Sequence, residues 1–152
     1  MKTLPHRGYF GIGILNPKNQ DNVGTLWRSA SILGASFIFT IGNRIPRQAS
    51  DTTQAYRHIP FFYHNDFGEF YSRMPYDCML VGVELDEKSV PIESYKHPNR
   101  CIYLLGAEDS GLTTEARSKC HEIIELPFGN YNVAVAGSLV MYDRYRHIKS
   151  KP

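Results

Sequence analysis

Five short runs of this chain, Tyr9–Leu15, Ser36–Ile41, Cys78–Val83, Arg100–Leu105 and His121–Leu126, are mostly apolar, β-branched or aromatic. Several lack the polar alternation of a half-exposed strand, so they predict strands covered on both faces, the habit of parallel sheets. A shorter run, Ile59–Tyr63, predicts one more strand. Helix-like stretches fall between them: Val23–Leu33, closed by Gly34; Asp66–Met74, closed by Pro75; Thr113–Cys120; and Val133–Ile148. Asp21 or Asn22 would cap the first of these, Thr113 the third and Asn132 the last. Strands and helices alternating over short connections imply βαβ units, hence an α/β fold with a mostly parallel sheet flanked by helices. No linker, repeat or low-complexity tract interrupts residues 1–152, which predicts one domain.

The totals exclude several function classes. No apolar run reaches the roughly 20 residues that span a bilayer, and the start, Met1 to Arg7, carries no signal-peptide core. A cytoplasmic protein with no membrane partner is the expectation. Cys78, Cys101 and Cys120 are an odd set without close pairing, which predicts reduced, buried thiols. The six histidines form no close pair with metal-ligand spacing, so no metal is expected. The net charge of +2 does not announce a nucleic-acid protein. Two basic groups are more suggestive: Arg44, Arg47 and Arg57 in the polar stretch from Gly42 to Arg57, and Arg144, Arg146, Lys149 and Lys151 at the C-terminus. Either could touch phosphates. The second is also what a helix dipole favours in a last turn.

Three segments follow apolar runs and open helices: Asn16 to Ala30, Leu105 to Leu112, and Leu126 to Ala136. Polar side chains and bare backbone are thereby placed at the carboxyl ends of strands, where open α/β sheets bind ligands. The first segment holds Asn22, Gly24 and Arg28. A capping asparagine and a glycine for close packing explain the first two as well as function does. Arg28 sits in an otherwise apolar helix, where an unpaired charge is costly. The second segment holds Gly106 and Gly111, five apart, around Glu108. These glycines allow a tight ligand-binding turn or a generic strand-to-helix turn, and no Gly-Lys-Ser/Thr follows to make a phosphate loop. In the third, Gly129 precedes two asparagines bracketing Tyr131, and the small-sided helix behind it can pack closely on another backbone. A dinucleotide site fails, because the third glycine position after Gly11-Ile-Gly13 falls on Asn16. A serine-hydrolase elbow, Gly-x-Ser-x-Gly, is missing from the sequence.

The three segments, in this order and with this content, resemble the SpoU (TrmH-type) branch of the SPOUT RNA methyltransferases, from about Gly8 to about Arg146. The resemblance implies a C-terminal trefoil knot, which composition and periodicity do not reveal, and a homodimer with its active site near the subunit interface. It implies S-adenosyl-L-methionine bound by the knot loops, with Val83, Glu84, Gly106, Leu126 and Tyr131 as contacts. The implied reaction is methylation of a ribose 2′-hydroxyl in tRNA or rRNA. Arg28 falls on the family's catalytic arginine, and Asn22, Glu108 and Asn132 on its motif asparagine, glutamate and second asparagine. A guanidinium stays protonated at working pH, so Arg28 is expected to position and stabilise charge, with proton acceptance as the other role assigned to it. The chain departs from the family in carrying Asn130-Tyr131-Asn132 where Ser-Leu-Asn is usual. Tyr131 could line the adenine pocket or block it, so a catalytically silent RNA-binding module is the alternative.

Overall fold

A computed structural model describes residues 8–44 and 58–150 of the chain. Among the described residues, seven strands form one sheet: β1 (Tyr9–Leu15), β2 (Phe37–Ile41), β3 (Phe61–His64), β4 (Met79–Val83), β5 (Val90–Pro91), β6 (Arg100–Leu105) and β7 (Glu122–Glu125). Their order is β3-β2-β1-β6-β4-β7-β5, and every neighbouring pair is parallel. Four α-helices cover the sheet: α1 (Gln20–Leu33), α2 (Phe67–Ser72), α3 (Thr114–Lys119) and α4 (Val133–Ser150).

Both faces of the sheet are buried, which is why the strand runs lack polar alternation. Along β6, Cys101, Tyr103 and Leu105 enter one core with Ile12, Leu26, Trp27 and Met141. Ile102 and Leu104 enter the other with Phe39, Phe67, Phe70 and Ala116. Gly11 and Gly13 leave room on β1 for the rings of Phe37 and Phe39, which lie where their side chains would stand. Gly137 does the same for α4, admitting the Leu26 side chain of α1. The two helices therefore pack tightly on one another and on the centre of the sheet.

The expected strands and helices are all present, with ends shifted by up to three residues. The first cap is corrected: α1 starts at Gln20, and Asn19 rather than Asp21 or Asn22 accepts from the backbone, at Asp21 N. Asn22 thus lies inside the helix with its amide free for other partners. Asp66, Thr113 and Asn132 cap α2, α3 and α4. The two-residue β5 and the 3-10 turn Ile92–Ser94 behind it were not legible in the sequence, since neither carries an apolar run. Residues 45–57, with Arg47 and Arg57, and Lys151 lie outside the described residues.

His64, at the end of β3, meets the rings of Phe39 and Phe70 edge-on, and its Nδ1 is buried without a hydrogen-bond partner among the described residues. Burial pulls its imidazole below the ordinary value; Glu69 opposes this and Arg73 adds to it. Below the unfolded value of about 6.5, the unfolded chain binds the extra proton, so stability falls as pH drops toward the depressed folded value. Urea unfolding at about pH 7.5 and about pH 5.5 checks this: the loss of stability on acidification should be smaller in His64→Phe than in wild type.

Candidate active site

At the carboxyl ends of the central strands the second and third segments line a cleft of about 350 Å³, within the usual range for small-ligand pockets, and the first reaches its rim through Asn22. Its floor is the end of β6, its sides are the loops after β4, β6 and β7, and Val133 and Ala136 of α4 close it. All five expected cofactor contacts, Val83, Glu84, Gly106, Leu126 and Tyr131, line it, as does Glu108.

Close backbone contact shapes the loop after β6. A Cβ on Gly106 would overlap the backbone of Gly111 and stand 2.5 Å from the Leu112 nitrogen. Gly111 N donates to the Ala107 carbonyl at 2.8 Å, and Gly111 has a φ of 65°, a left-handed conformation that suits glycine. Glu84, from the loop after β4, accepts from Leu112 N at 2.8 Å. Arg117 then ties both loops together: its Nε donates to the Leu112 carbonyl at 3.0 Å, and its guanidinium reaches Asp86 at 3.1 Å and Glu84 at 3.5 Å. The Lys88 backbone N–H, and after it Arg117, hold the Asp86 carboxyl below its usual range. Arg117 is a residue that sequence reading missed, because a basic side chain in the last turn of α3 is already explained by the helix dipole.

On the rim, three of the four expected catalytic residues meet. Asn132 Oδ1 accepts from Ala134 N at 2.9 Å and from Val135 N at 3.2 Å, which turns its Nδ2 outward to donate to Asn22 Oδ1 at 2.9 Å. Asn22 Nδ2 in turn donates to the Glu108 carboxylate. Each amide therefore uses its oxygen in one direction and its nitrogen in the other, and the chain of donors ends on Glu108. The network links residues 86 and 110 positions apart. A Lys18–Asp109 ion pair adds a second tie between the first and second segments, and Lys18 holds Asp109 below the usual carboxylate range.

Arg28 is the fourth expected catalytic residue. It lies six positions after Asn22 on α1, about 9 Å along the helix axis and roughly a third of a turn around it. Its side chain is exposed, so the desolvation cost expected from an apolar helix does not arise. Tyr131 packs its ring against the core under the cleft and donates its hydroxyl to the Pro127 carbonyl; it forms a wall of the cleft. Phe128 is a further residue that the sequence did not single out: it lines the cleft with its ring fully exposed and a φ of 69°.

The basic C-terminal group divides. Arg146 and Lys149 are exposed, but Arg144 is only 4% exposed and donates to the carbonyls of Pro98 and Asn99 at 2.6 and 2.9 Å. Arg144 is therefore a core residue, corrected from the phosphate-facing expectation. Arg44 stacks its guanidinium 4.4 Å from the centre of the Tyr63 ring. Cys101 is buried and its thiol is pushed up to about 11 by burial; Cys120, half-buried, is pushed up to about 12 for the same reason. No disulfide links the three cysteines.

Replacing Gly106 with Ala should displace the Gly111–Leu112 backbone and open the loop. The expected outcome is a lower melting temperature and faster amide exchange at Gly111 and Leu112, read by hydrogen–deuterium exchange.

Residues 10–142 match the model of the SpoU rRNA Methylase family. The chain is 37% identical over 71 residues to the 23S rRNA (guanosine-2′-O-)-methyltransferase RlmB of Acinetobacter baylyi, covering 44% of this chain and 29% of that protein. Its fold is similar to that of the SpoU methyltransferase AviRb from Streptomyces viridochromogenes in complex with the cofactor AdoMet. The TM-score is 0.82 at 23% identity, covering 98% of this chain and 62% of that one. A protein solved for the 2-OH methylation of C/U34 on tRNA superposes with a TM-score of 0.79 at 18% identity, covering 95% of this chain and 99% of that one. The aligned part of this chain thus spans under a third of the curated relative and about three fifths of the AviRb chain. With the family model covering most of its length, the chain belongs to the SpoU rRNA methylase family.

Proposed function

We propose that this protein transfers a methyl group from S-adenosyl-L-methionine to a ribose 2′-hydroxyl of RNA. The observation that carries the proposal is the cleft itself: backbone-rich loops at strand ends, with the Asn132–Asn22–Glu108 network on the rim. The loops from Leu105 to Gly111 and from Phe128 to Tyr131 line the cleft and bring main-chain groups to a ligand, and Tyr131 supplies an apolar wall beside Leu126 and Val133. The cofactor, when bound, supplies an already activated methyl on a sulfonium. This chain's residues have the remaining task of orienting a weak nucleophile in line with that methyl and stabilising the oxyanion that develops.

Arg28 is the cation best suited to that role, as a guanidinium can hold a phosphate and a hydroxyl at once. Its exposed position on α1 supports action across a subunit interface. Exposed apolar side chains on the same helix pair, Ile32 of α1 and Leu139 and Tyr142 of α4, support a homodimer. A C-terminal trefoil knot belongs to the same reading and rests on the family match. RlmB acts on 23S rRNA and the C/U34 structure concerns tRNA, so both RNA classes are substrates to test.

Transfer of labelled methyl to total small RNA and to ribosomal RNA tests the proposal, with cofactor binding followed in parallel by calorimetry. Wild type should yield labelled 2′-O-methylnucleoside. Arg28→Ala should lose on the order of 10²–10³ in turnover, the scale of a removed oxyanion donor, with cofactor affinity unchanged. Cofactor binding with no transfer to any RNA would favour the silent RNA-binding module. Light scattering should give twice the chain mass; a monomer at micromolar concentration would remove the cross-subunit role of Arg28.

A further inference from the structure

A polar cluster lies at the other end of β6 from the cleft. His97, in the segment entering β6, has a side chain only 1% exposed. Its Nε2 is 2.7 Å from Asp143 Oδ2, and its Nδ1 is 2.6 Å from the Tyr103 hydroxyl. Asp143 and His147 are one turn apart on α4, and His147 Nδ1 is 3.2 Å from the same Asp143 oxygen and 2.8 Å from the Asp143 backbone carbonyl, a bond that a cation at this nitrogen would replace. One nitrogen or oxygen from each of His97, Asp143 and His147 falls within 4.8 Å of the others.

We propose that His97, Asp143 and His147 bind a divalent cation of the zinc class, which staples the segment entering β6 to α4. Zinc bonds of about 2.0–2.2 Å to nitrogen and oxygen place neighbouring ligand atoms of a tetrahedral site a little over 3 Å apart. Two of the three separations here, 2.7 and 3.2 Å, are already close to that spacing. Two ligands at i and i+4 share one helix face, and the third comes from a facing segment, an arrangement that gives convergence without rearranging the backbone. Two imidazoles with one carboxylate suit zinc, whereas magnesium and calcium favour sites built of oxygen alone.

The surroundings fit a metal ligand sphere. The Tyr103 hydroxyl fixes the His97 ring through the nitrogen that faces away from Asp143, the outer contact that metal-bound histidines need. Arg144 spends its donors on Tyr103 and on the carbonyls of Pro98 and Asn99, anchoring the chain next to His97. Binding leaves His97 neutral: its single ring proton shifts from Nε2, which the cation takes, to Nδ1, which then donates to the Tyr103 oxygen. His147 is one-third exposed and borders a groove with Tyr142, Tyr145, Arg146 and Lys149, so water can fill the fourth position. Asp143 follows Val133 of the cleft by ten residues of helix, about 15 Å. The ion therefore stands away from the reacting groups and has a structural role, independent of the proposed methyl transfer.

The test uses untagged full-length protein stripped with a chelator, titrated with zinc by calorimetry and with cobalt by visible absorption. Wild type should take one ion per chain, show the absorption of a tetrahedral cobalt site, and melt at a higher temperature with zinc than without. His147→Gln should weaken binding by more than the roughly 10–100-fold of an outer-sphere change, while its metal-free melting temperature stays at the wild-type value. Asp143→Asn should behave alike, and should it fail to fold, His147→Gln alone decides. His58→Gln, an exposed histidine elsewhere, should bind as wild type does. Wild-type affinity no tighter than that of His147→Gln, or equal weakening in His58→Gln, would overturn the site and leave a hydrogen-bonded network only.

Discussion

The backbone of Gly111 and Leu112 crosses so close to Gly106 that no side chain fits between them. Much of the cleft depends on that contact. It turns the loop back on the end of β6, presents Leu112 N to Glu84, and sends Glu108 toward the first segment. A loop of this kind holds its shape through backbone contacts and through Arg117, which reaches the Leu112 carbonyl and two carboxylates of the neighbouring loop. Arg117 and its carboxylates are only partly exposed, so this clamp is less screened than a surface ion pair.

Precise placement of the rim residues comes from double use of their side chains. Asn132 caps α4 with its oxygen and, for that reason alone, must aim its nitrogen at Asn22. Asn22 is available because Asn19 takes the capping role at α1. Helix capping, ordinarily a stability device worth about 1 kcal/mol, here fixes the direction of a functional network. Rotation would cost Asn22 two bonds and Asn132 three, so the direction in which Asn22 donates to Glu108 is fixed. Preorganisation of this kind suits a reaction whose demand is orientation more than acid–base chemistry.

A common frame links this rim to the far side of the sheet. Gly106 leaves one end of β6 while His97 enters near the other, and α4 begins at the cleft and carries Asp143 and His147 beyond it. A cation held by His97, Asp143 and His147 would anchor the far part of α4, the helix whose first turn bears Asn132 and closes the cleft. Arg144, tied to the carbonyls of Pro98 and Asn99, contributes to the same anchoring through hydrogen bonds.

Much of the fold was legible in the sequence because burial on both faces writes itself as uninterrupted apolar runs, and loops at strand ends as glycine and asparagine. β5 was not legible, since two residues carry no period. The polar, glycine-marked character of the three segments could be read from local content, whereas Tyr131 was placed beside the cofactor only by the resemblance of all three to one family. What only the tertiary structure decided are the relations between distant residues: Asn22 with Glu108 and Asn132, Arg117 with Glu84, His97 with Asp143. It also decided which charges are buried, taking Arg144 into the core and leaving Arg28 on the surface. The physical reason is range. Hydrophobic period and turn chemistry act over a few residues and are written in order along the chain, whereas hydrogen bonds and ion pairs depend on distances that exist only once the sheet has brought its strand ends together.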